Sequence, residues 1–197
     1  MGHREKLLAG AKRCLYERGY GRTTARDIVE VSGTNLASIG YHFGTKEALL
    51  DAAMMEAVGE WGEEFERILA AEGDEYADPM ERFEAVWTQV ISSFEAHRPA
   101  LIASFEAFVR AEHSPELRER IAAGQEAARL WLVELFRTLG NANNSRSETA
   151  VGSFYLALLN GLMVQWLLDP GRAPTGPDVA EALREITTDF QKTNPAR

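Results

Sequence analysis

The 197-residue chain contains a single cysteine, Cys14, which cannot form an internal disulfide bond or a cysteine zinc site. It also lacks an apolar run of the roughly 20 residues that a membrane span needs. The longest run, Phe154 to Leu168, is interrupted by Asn160 and Gln165. The N-terminal segment MGHREKLLAG carries charges where a secretory signal would be apolar. We therefore expect a cytoplasmic protein with no membrane partner.

Signatures of enzymes and metal sites are missing from the sequence. No histidine has a second histidine or a glutamate at a metal-binding spacing; the four are His3, His42, His97 and His113. The segment LASIG resembles a nucleophile elbow, but its first glycine is missing and no strand precedes it. We therefore predict that the protein is not an enzyme and holds no metal ion and no cofactor.

No segment alternates apolar and polar residues with the period of two that indicates a strand. Apolar residues instead recur at helical spacing along nearly the whole chain. The helical segments end at Gly19, Gly33 and Gly44, or begin beside prolines such as Pro79 and Pro115. The pattern predicts an all-α fold of about nine helices.

Charge is distributed unevenly along a chain whose net charge is −9. Residues 1–50 contain eight Lys and Arg against five Asp and Glu, a net charge of +3, which leaves −12 for the remainder. Phosphate binding depends on local charge, so the acidic remainder does not exclude DNA as a partner. We predict a small basic DNA-binding domain, residues 1–47, followed by a larger domain, residues 48–197.

Residues 22–50 predict a helix-turn-helix, in which two short helices are joined by a tight turn. Thr24 opens the first of them in a capping-box pattern, and Gly33 ends it. Asn35, or Thr34 before it, caps the second. In such a motif the second helix is the one that enters the major groove of DNA.

This second helix has two faces when its residues are placed at intervals of about 100°. One arc is apolar and is expected to face the protein: Leu36, Ile39, Gly40 and Phe43. The opposite arc comprises Ala37, Ser38, Tyr41 and His42. An ordinary solvated face carries Glu, Lys or Arg, whereas this one offers a methyl, a hydroxyl, a phenol and an imidazole. These groups suit base edges, phosphates and thymine methyl groups, so we predict that this arc reads DNA.

Lys46 begins the following helix, where the helix dipole disfavours a cation by about a few tenths of a kcal/mol. A DNA phosphate bound at this helix end would favour the positive charge. An exposed lysine that tolerates the small penalty beside Glu47 explains the sequence equally well. Both interpretations stay open at this point.

The stretch TTARDIVEVSGTNLASIGYHFGTKEALL resembles the DNA-binding domain of the tetracycline-repressor-like (TetR) family of bacterial transcription regulators. The resemblance covers roughly the first quarter of the chain. It implies a homodimeric, all-helical regulator whose larger domain binds a small-molecule effector. It also implies that Thr24 contacts phosphate and that Ser38, Tyr41 and His42 lie on the recognition helix. Many relatives have an aromatic residue where this chain has Gly40, so a contact made there elsewhere is expected to be absent.

These observations favour a ligand-responsive, sequence-specific DNA-binding transcriptional regulator, a repressor that a small-molecule effector releases from its operator. The candidate DNA-binding residues are Thr24, Asn35, Ala37, Ser38, Tyr41, His42 and Lys46. The alternative is an all-helical protein that binds or turns over apolar small molecules, with an incidental basic N-terminus. Specific duplex binding would favour the first function, and turnover of a bound lipid-like compound the second.

The larger domain is rich in aromatic residues and holds all four tryptophans. Such side chains most simply fill a core, but aromatics from several helices also line apolar pockets. We expect an apolar or aromatic effector. The candidate effector-binding residues are Trp87, Phe105, Phe108 and Trp131, with Glu134, Asn160 and Gln165 as polar contacts.

The helix from about Ser147 to Asp169 is apolar on nearly every side, which one buried face does not explain. We predict a two-fold homodimer in which this helix and the last one meet their symmetry mates as a four-helix bundle. The candidate dimerisation residues are Leu159, Leu162, Met163, Trp166, Val179, Leu183, Ile186 and Phe190. Two recognition helices would then face successive major grooves, ~34–36 Å apart, on a nearly palindromic operator. Alternatively, the apolar helix is the buried centre of a monomer.

Overall fold

The computed structural model describes residues 2–71, 78–136 and 145–193, without the side chains of 64–71, 135–136, 145–147, 190–191 and 193. Within these ranges the chain forms nine α-helices and no strand, which confirms the predicted all-α class. The helices are α1 (His3–Arg18), α2 (Ala25–Ser32), α3 (Leu36–Phe43), α4 (Lys46–Ala71), α5 (Pro79–Ser93), α6 (Arg98–Ala111), α7 (Pro115–Phe136), α8 (Ser145–Leu168) and α9 (Gly176–Thr193).

The helices group into two compact units. Unit 1 comprises Met1–Glu66 and His97–Ala123, and unit 2 comprises Arg67–Ala96 and Gly124–Arg197. Unit 1 therefore contains α1 to α3, most of α4, all of α6 and the start of α7. The domain boundary predicted after residue 47 falls inside unit 1.

The core of unit 1 is built on one face of α1. Apolar residues three and four positions apart place their side chains on the same side of the helix, and this face is buried: Leu7, Leu8, Ala11, Cys14 and Leu15. The same cluster includes buried residues of the other helices, namely Ile28, Ile39, Leu49, Leu50, Ala53, Met54, Ala103, Ala107 and Leu117. The short helices α2 and α3 contribute one buried apolar residue each and depend on α1 for their packing.

Helix α1 lies close to α2 at Gly10. A Cβ atom at Gly10 would lie 2.8 Å from the Cβ of Ser32 and 3.2 Å from the carbonyl oxygen of Ile28. Such distances leave no room for a methyl group without a backbone shift. The absence of a side chain at this position thus sets the distance between the two helices.

The turn between α2 and α3 forms as the sequence predicts. The hydroxyl of Thr24 accepts a hydrogen bond from the N–H of Asp27, and the carboxylate of Asp27 accepts one from the N–H of Thr24. Gly33 ends α2 in the left-handed conformation, with φ of 63°, which a residue without Cβ adopts at no steric cost. Asn35, rather than Thr34, caps α3 by accepting a hydrogen bond from the N–H of Ser38.

Unit 2 is organised around the aromatic face of α5. The rings of Phe83 and Tyr155 lie 6.3 Å apart between centroids, and those of Phe94 and Trp166 lie 5.8 Å apart, which packs α8 against α5. Helix α9 approaches α5 closely at Gly176, where a Cβ would clash with Thr88.

Helix α8 is only partly buried, although its sequence is apolar on nearly every side. Its segment Glu148–Leu168 has a mean hydropathy of 1.5 and the length of a membrane span, and 33% of it is buried within the protein. Phe154, Val164 and Leu168 are 55%, 40% and 80% exposed. Together with the exposed Ala157 and half-buried Gly161, they form a stripe at spacings of three and four residues. We call this the α8 stripe.

We expect Gly10→Ala to lower the free energy of unfolding of the protein by about 1–3 kcal/mol, because the added methyl group must push α2 away from α1. Urea denaturation followed by circular dichroism measures this change. The matched control is Gly59→Ala in α4, where nothing lies within 4 Å of the added Cβ. The control should raise stability by about 0.5–1 kcal/mol through helix propensity. Equal stability of both variants would contradict the close approach at Gly10.

Candidate nucleic-acid interface

Helix α3 faces the rest of unit 1 with a different arc from the one predicted. Leu36, Ala37, Gly40 and Tyr41 are exposed, Ser38 and Ile39 are buried, and His42 and Phe43 are half-buried. The exposed face is therefore turned by about one residue position, roughly 100°, from the predicted arc. Ala37 and Tyr41 lie on it as predicted. Leu36 and Gly40, expected to face the protein, are on it as well, and Ser38 and His42 are turned inward.

The inward position of Ser38 has a local cause. Its backbone N–H donates to Oδ1 of Asn35 at 3.0 Å, and its hydroxyl donates to the same oxygen at 3.2 Å. The hydroxyl also lies 3.3 Å from Nδ1 of His3 in α1. Because its polar group is bonded within the protein, Ser38 is buried at little cost. Asn35 and Ser38 thus stabilise the start of α3, and the Ser38 side chain is not part of the exposed face of this helix.

The C-terminal end of α3 makes an aromatic contact and a cation–π contact. The Tyr41 side chain is 86% exposed, and its ring lies edge-on to that of His42 with centroids 4.8 Å apart. On the inner side, the guanidinium of Arg4 lies over the ring of Phe43, 5.4 Å from its centroid. Tyr41 and Arg4 are exposed, whereas His42 and Phe43 are half-buried.

Two residues predicted to contact phosphate lie close together in unit 1. The Nζ of Lys46, at the start of α4, donates to the carbonyl oxygen of Thr23 at 3.2 Å, beside Thr24 at the start of α2. Lys46 also pairs with Glu47 at 3.3 Å. This arrangement brings a cation next to the first N–H groups of α2, a combination that suits an anionic group.

The hydroxyl of Thr24 is engaged within its own capping box. It donates to Oδ2 of Asp27 at 2.7 Å, and the Arg18 guanidinium pairs with the same carboxylate at 2.6 Å. The hydrogen bonds from Thr24, together with the charge of Arg18, lower the pKa of Asp27. A phosphate at this helix end would therefore meet the backbone and Lys46 rather than a free threonine hydroxyl.

A buried cluster connects the loop before α2 to α4 and α6. The hydroxyl of Tyr20 donates to Asp51 at 2.9 Å, and the guanidinium of Arg110 pairs with Asp51 at 3.2 Å. The same guanidinium lies 3.8 Å from the centroid of the Tyr20 ring. Burial raises the pKa of both Asp51 and Tyr20. The three residues are far apart in the chain, so no sequence pattern indicates this cluster.

The predicted effector-binding residues are divided between the two units. Phe105 and Phe108 lie in unit 1, with ring centroids 6.1 Å apart. The others belong to unit 2, where Trp87 is fully buried, Trp131 and Asn160 are half-buried, and Glu134 and Gln165 are exposed. Two cavities described within unit 1, of about 350 and 290 Å³, are lined by other residues. The effector site stays a prediction.

Four of the predicted dimerisation residues are buried within the chain itself. Leu162, Met163, Trp166 and Val179 are at most 8% exposed, so they have little surface left to bury against a second copy. Leu159 and Leu183 are half-buried and Ile186 is 54% exposed, while the side chain of Phe190 lies outside the described residues. Apolar character alone does not distinguish the side of α8 that packs on α5 from the α8 stripe, and the dimer interface stays a prediction.

No group of three His, Cys, Asp or Glu side chains in the described part of the chain is arranged to hold a metal ion. The features of unit 1 that suit a ligand are instead the exposed face of α3 and the start of α2 beside Lys46. A helix-turn-helix with such a face defines a class of proteins that bind nucleic acids.

Comparison with known families agrees with this class. The model of bacterial regulatory proteins of the tetR family matches residues 7–53, and that of the tetracyclin repressor-like C-terminal domain matches residues 78–189. The second match alone covers more than half of the chain. The protein belongs to the TetR family of bacterial regulators.

Curated relatives are similar over part of the chain. The transcriptional regulator TtgR of Pseudomonas putida is 32% identical over 77 residues, which is 39% of this chain and 35% of TtgR. The transcriptional repressor AcnR of Corynebacterium efficiens is 42% identical over 66 residues, 30% of this chain and 35% of AcnR. The matched segments thus span about a third of these relatives.

Solved structures are similar over nearly the full length. A transcriptional regulator from Streptomyces coelicolor A3(2) superposes with a TM-score of 0.71 at 22% identity, covering 94% of this chain and 98% of that one. The multidrug binding protein EbrR, complexed with proflavin, has a TM-score of 0.63 at 23% identity, covering 95% and 99%. At such identities the likeness shows a shared fold.

We expect Asp51→Ala to lower the free energy of unfolding by about 1–3 kcal/mol, because Arg110 and the Tyr20 hydroxyl lose their buried acceptor. Urea denaturation measures the loss. Tyr20→Phe is the control: it removes one hydroxyl, leaves the Arg110–Asp51 pair intact and should cost less. If Asp51→Ala has the same free energy of unfolding as the original protein, the cluster does not stabilise the loop before α2.

Proposed function

We propose that the protein is a sequence-specific, DNA-binding transcriptional regulator that responds to a small molecule, and that it acts as a repressor released by that effector. The observation that carries the proposal is the exposed face of α3, which stands on the second helix of a helix-turn-helix in a chain of the TetR family. Solvated helix faces are normally rich in charge, whereas α3 has none on its exposed face.

The neighbouring residues support binding to a duplex. Tyr41 extends from the exposed face of α3, and Lys46 places a cation beside the start of α2. The first 50 residues carry a net charge of +3 in a chain of −9, so the attraction for phosphate is local to this end. We assign base contacts to Ala37 and Tyr41, and phosphate contacts to Lys46 and the first backbone N–H groups of α2, which follow Thr24.

Regulation by an effector is supported by the match to the tetracyclin repressor-like C-terminal domain and by the fold shared with EbrR, which binds proflavin. Unit 2 supplies aromatic side chains from several helices, among them Trp87 and Trp131. We propose an apolar or aromatic effector. Release from DNA requires that the effector favour one arrangement of the protein over another.

Assembly as a two-fold homodimer is the third part of the proposal. The α8 stripe offers exposed Phe154, Val164 and Leu168 around the small residues Ala157 and Gly161. An added Cβ at Gly161 would meet nothing within 4 Å, so the backbone of α8 is open to close approach there. A self-complementary contact of two such stripes buries apolar surface that one chain leaves in water.

Selection from a pool of random duplexes tests the DNA-binding function. We expect one sequence with approximate two-fold symmetry to be enriched, and its affinity to fall steeply with salt, because binding releases counterions from phosphates. Fluorescence anisotropy at several salt concentrations measures the slope. A selection that enriches no sequence would refute the proposal.

The same assay assigns roles to individual residues. Tyr41→Ala should weaken binding to the selected duplex by about tenfold without changing the melting temperature. Lys46→Ala should weaken binding to all duplexes about equally and make the salt slope shallower. Tyr16→Ala, which alters a 41% exposed tyrosine on α1, is the control and should bind as the original protein does.

The dimer interface is tested by placing charge on the α8 stripe. Val164→Glu combined with Leu168→Glu should convert the dimer to a monomer, because carboxylates would have to be buried without partners. Native mass spectrometry measures the oligomeric state and also detects a co-purified effector. Leu130→Glu is the control, since Leu130 is 60% exposed on another helix, α7. A monomeric original protein at micromolar concentration would refute the assignment.

A further inference from the structure

The exposed face of α3 is apolar over most of its area. Leu36 is 53% exposed, although it is a large apolar side chain on a helix of eight residues. Ala37 offers a single methyl group, and Gly40 offers no side chain at all. Among the four residues of this face, only Tyr41 carries a polar side-chain atom. We call Leu36, Ala37 and Gly40 the apolar patch of α3.

The polar side chains nearest to the patch make hydrogen bonds within the protein or are turned away from it. The side-chain oxygen of Asn35 accepts both hydrogen bonds of Ser38, and the Ser38 hydroxyl is buried against His3. His42 is half-buried on the opposite side of the helix. Leu36 and Ala37 therefore occupy the first turn of α3, the part of a recognition helix that contacts base edges, without a hydrogen-bonding side chain between them.

An apolar surface in the major groove has one complementary chemical group. Base pairs present hydrogen-bond donors and acceptors on that side, and thymine adds its C5-methyl group. Hydrogen-bonding edges left against Leu36 would lose their water without compensation, whereas a methyl group gains from the same contact. The missing side chain at Gly40 lets the helix axis come nearer to the bases, since nothing in the protein occupies that space.

We propose that the apolar patch of α3 selects the operator through thymine C5-methyl groups in the major groove, with Leu36 as the specificity-determining residue. This inference rests on the DNA-binding function proposed above. The apolar character of Leu36 alone predicts a position in the core, whereas this proposal gives the residue a direct contact with DNA.

Replacement of thymine by deoxyuridine tests the proposal, because it removes the methyl group and leaves every hydrogen-bonding atom of the base pair in place. The probe is the duplex enriched by the original protein, with each thymine replaced singly. We expect replacement at one or two positions in each half-site to lower the affinity about fourfold, the effect of exposing one buried methyl group. Unchanged affinity at every position, or half-sites without thymine, would overturn the inference.

Leu36→Ala links this effect to the residue. The variant should bind the original duplex more weakly, and the loss on changing thymine to deoxyuridine at its contact position should disappear. Val109→Ala is the matched control: Val109 is 74% exposed on α6, and the variant should keep the full fourfold loss. Full retention of the loss in Leu36→Ala would also overturn the inference. Because Leu36 lies largely in solvent, the variant should keep its melting temperature, which excludes misfolding as the cause.

A methyl group supplied on another base gives an independent measurement. At the sensitive position, a cytosine–guanine pair should bind weakly, and 5-methylcytosine should recover about fourfold of the loss. No recovery would count against the apolar contact. The proposed function and this inference fail in different ways. If the selection enriches no sequence, both the proposed function and this inference are refuted. If it enriches a sequence whose affinity does not change when any methyl group is removed, only the inference is refuted.

Discussion

The close approach of α1 and α2 at Gly10 is the constraint on which the candidate interface depends. A helix of eight residues is not stable by itself, so α2 and α3 keep their positions only by packing on the buried face of α1. Ile28 and Ile39 are the anchors, and each is nearly inaccessible to water. Gly10 sets how near α2 lies to α1, and the turn at Gly33 then fixes the direction in which α3 leaves. The surface offered to a partner is thus a consequence of packing on its far side.

The capping hydrogen bonds at the start of α3 determine which side of the helix is exposed to solvent. Asn35 and Ser38 bond to each other at the start of the helix, and this buries the hydroxyl of Ser38 and occupies the side-chain oxygen of Asn35. What is left outside is Leu36, Ala37 and Gly40 beside the phenol of Tyr41. The same capping bonds that stabilise a short helix therefore shift its proposed readout from hydrogen bonding towards apolar contact.

Unit 2 uses its apolar residues in two ways. The aromatic contacts between α5 and α8, such as Phe83 with Tyr155, are satisfied within one chain. The apolar side chains of the α8 stripe are instead exposed in the single chain. Exposed apolar side chains at regular helical spacing are typical of a surface that another helix covers. A helix that is apolar all round thus serves both as a core element and as the proposed contact between copies. Its composition suits both roles because both need only apolar surface.

The sequence by itself determined the helical class, the number of helices and the local signals at their ends. The capping box at Thr24, the glycine turn at Gly33 and the cap at Asn35 are short-range interactions, so the residues that make them are adjacent in the chain. The burial of Ser38, the exposure of Leu36 and the Tyr20–Asp51–Arg110 cluster were decided by tertiary structure. On so short a helix the apolar pattern fits more than one rotation. Only the packing against α1 and the long-range partners of each polar group select one of them.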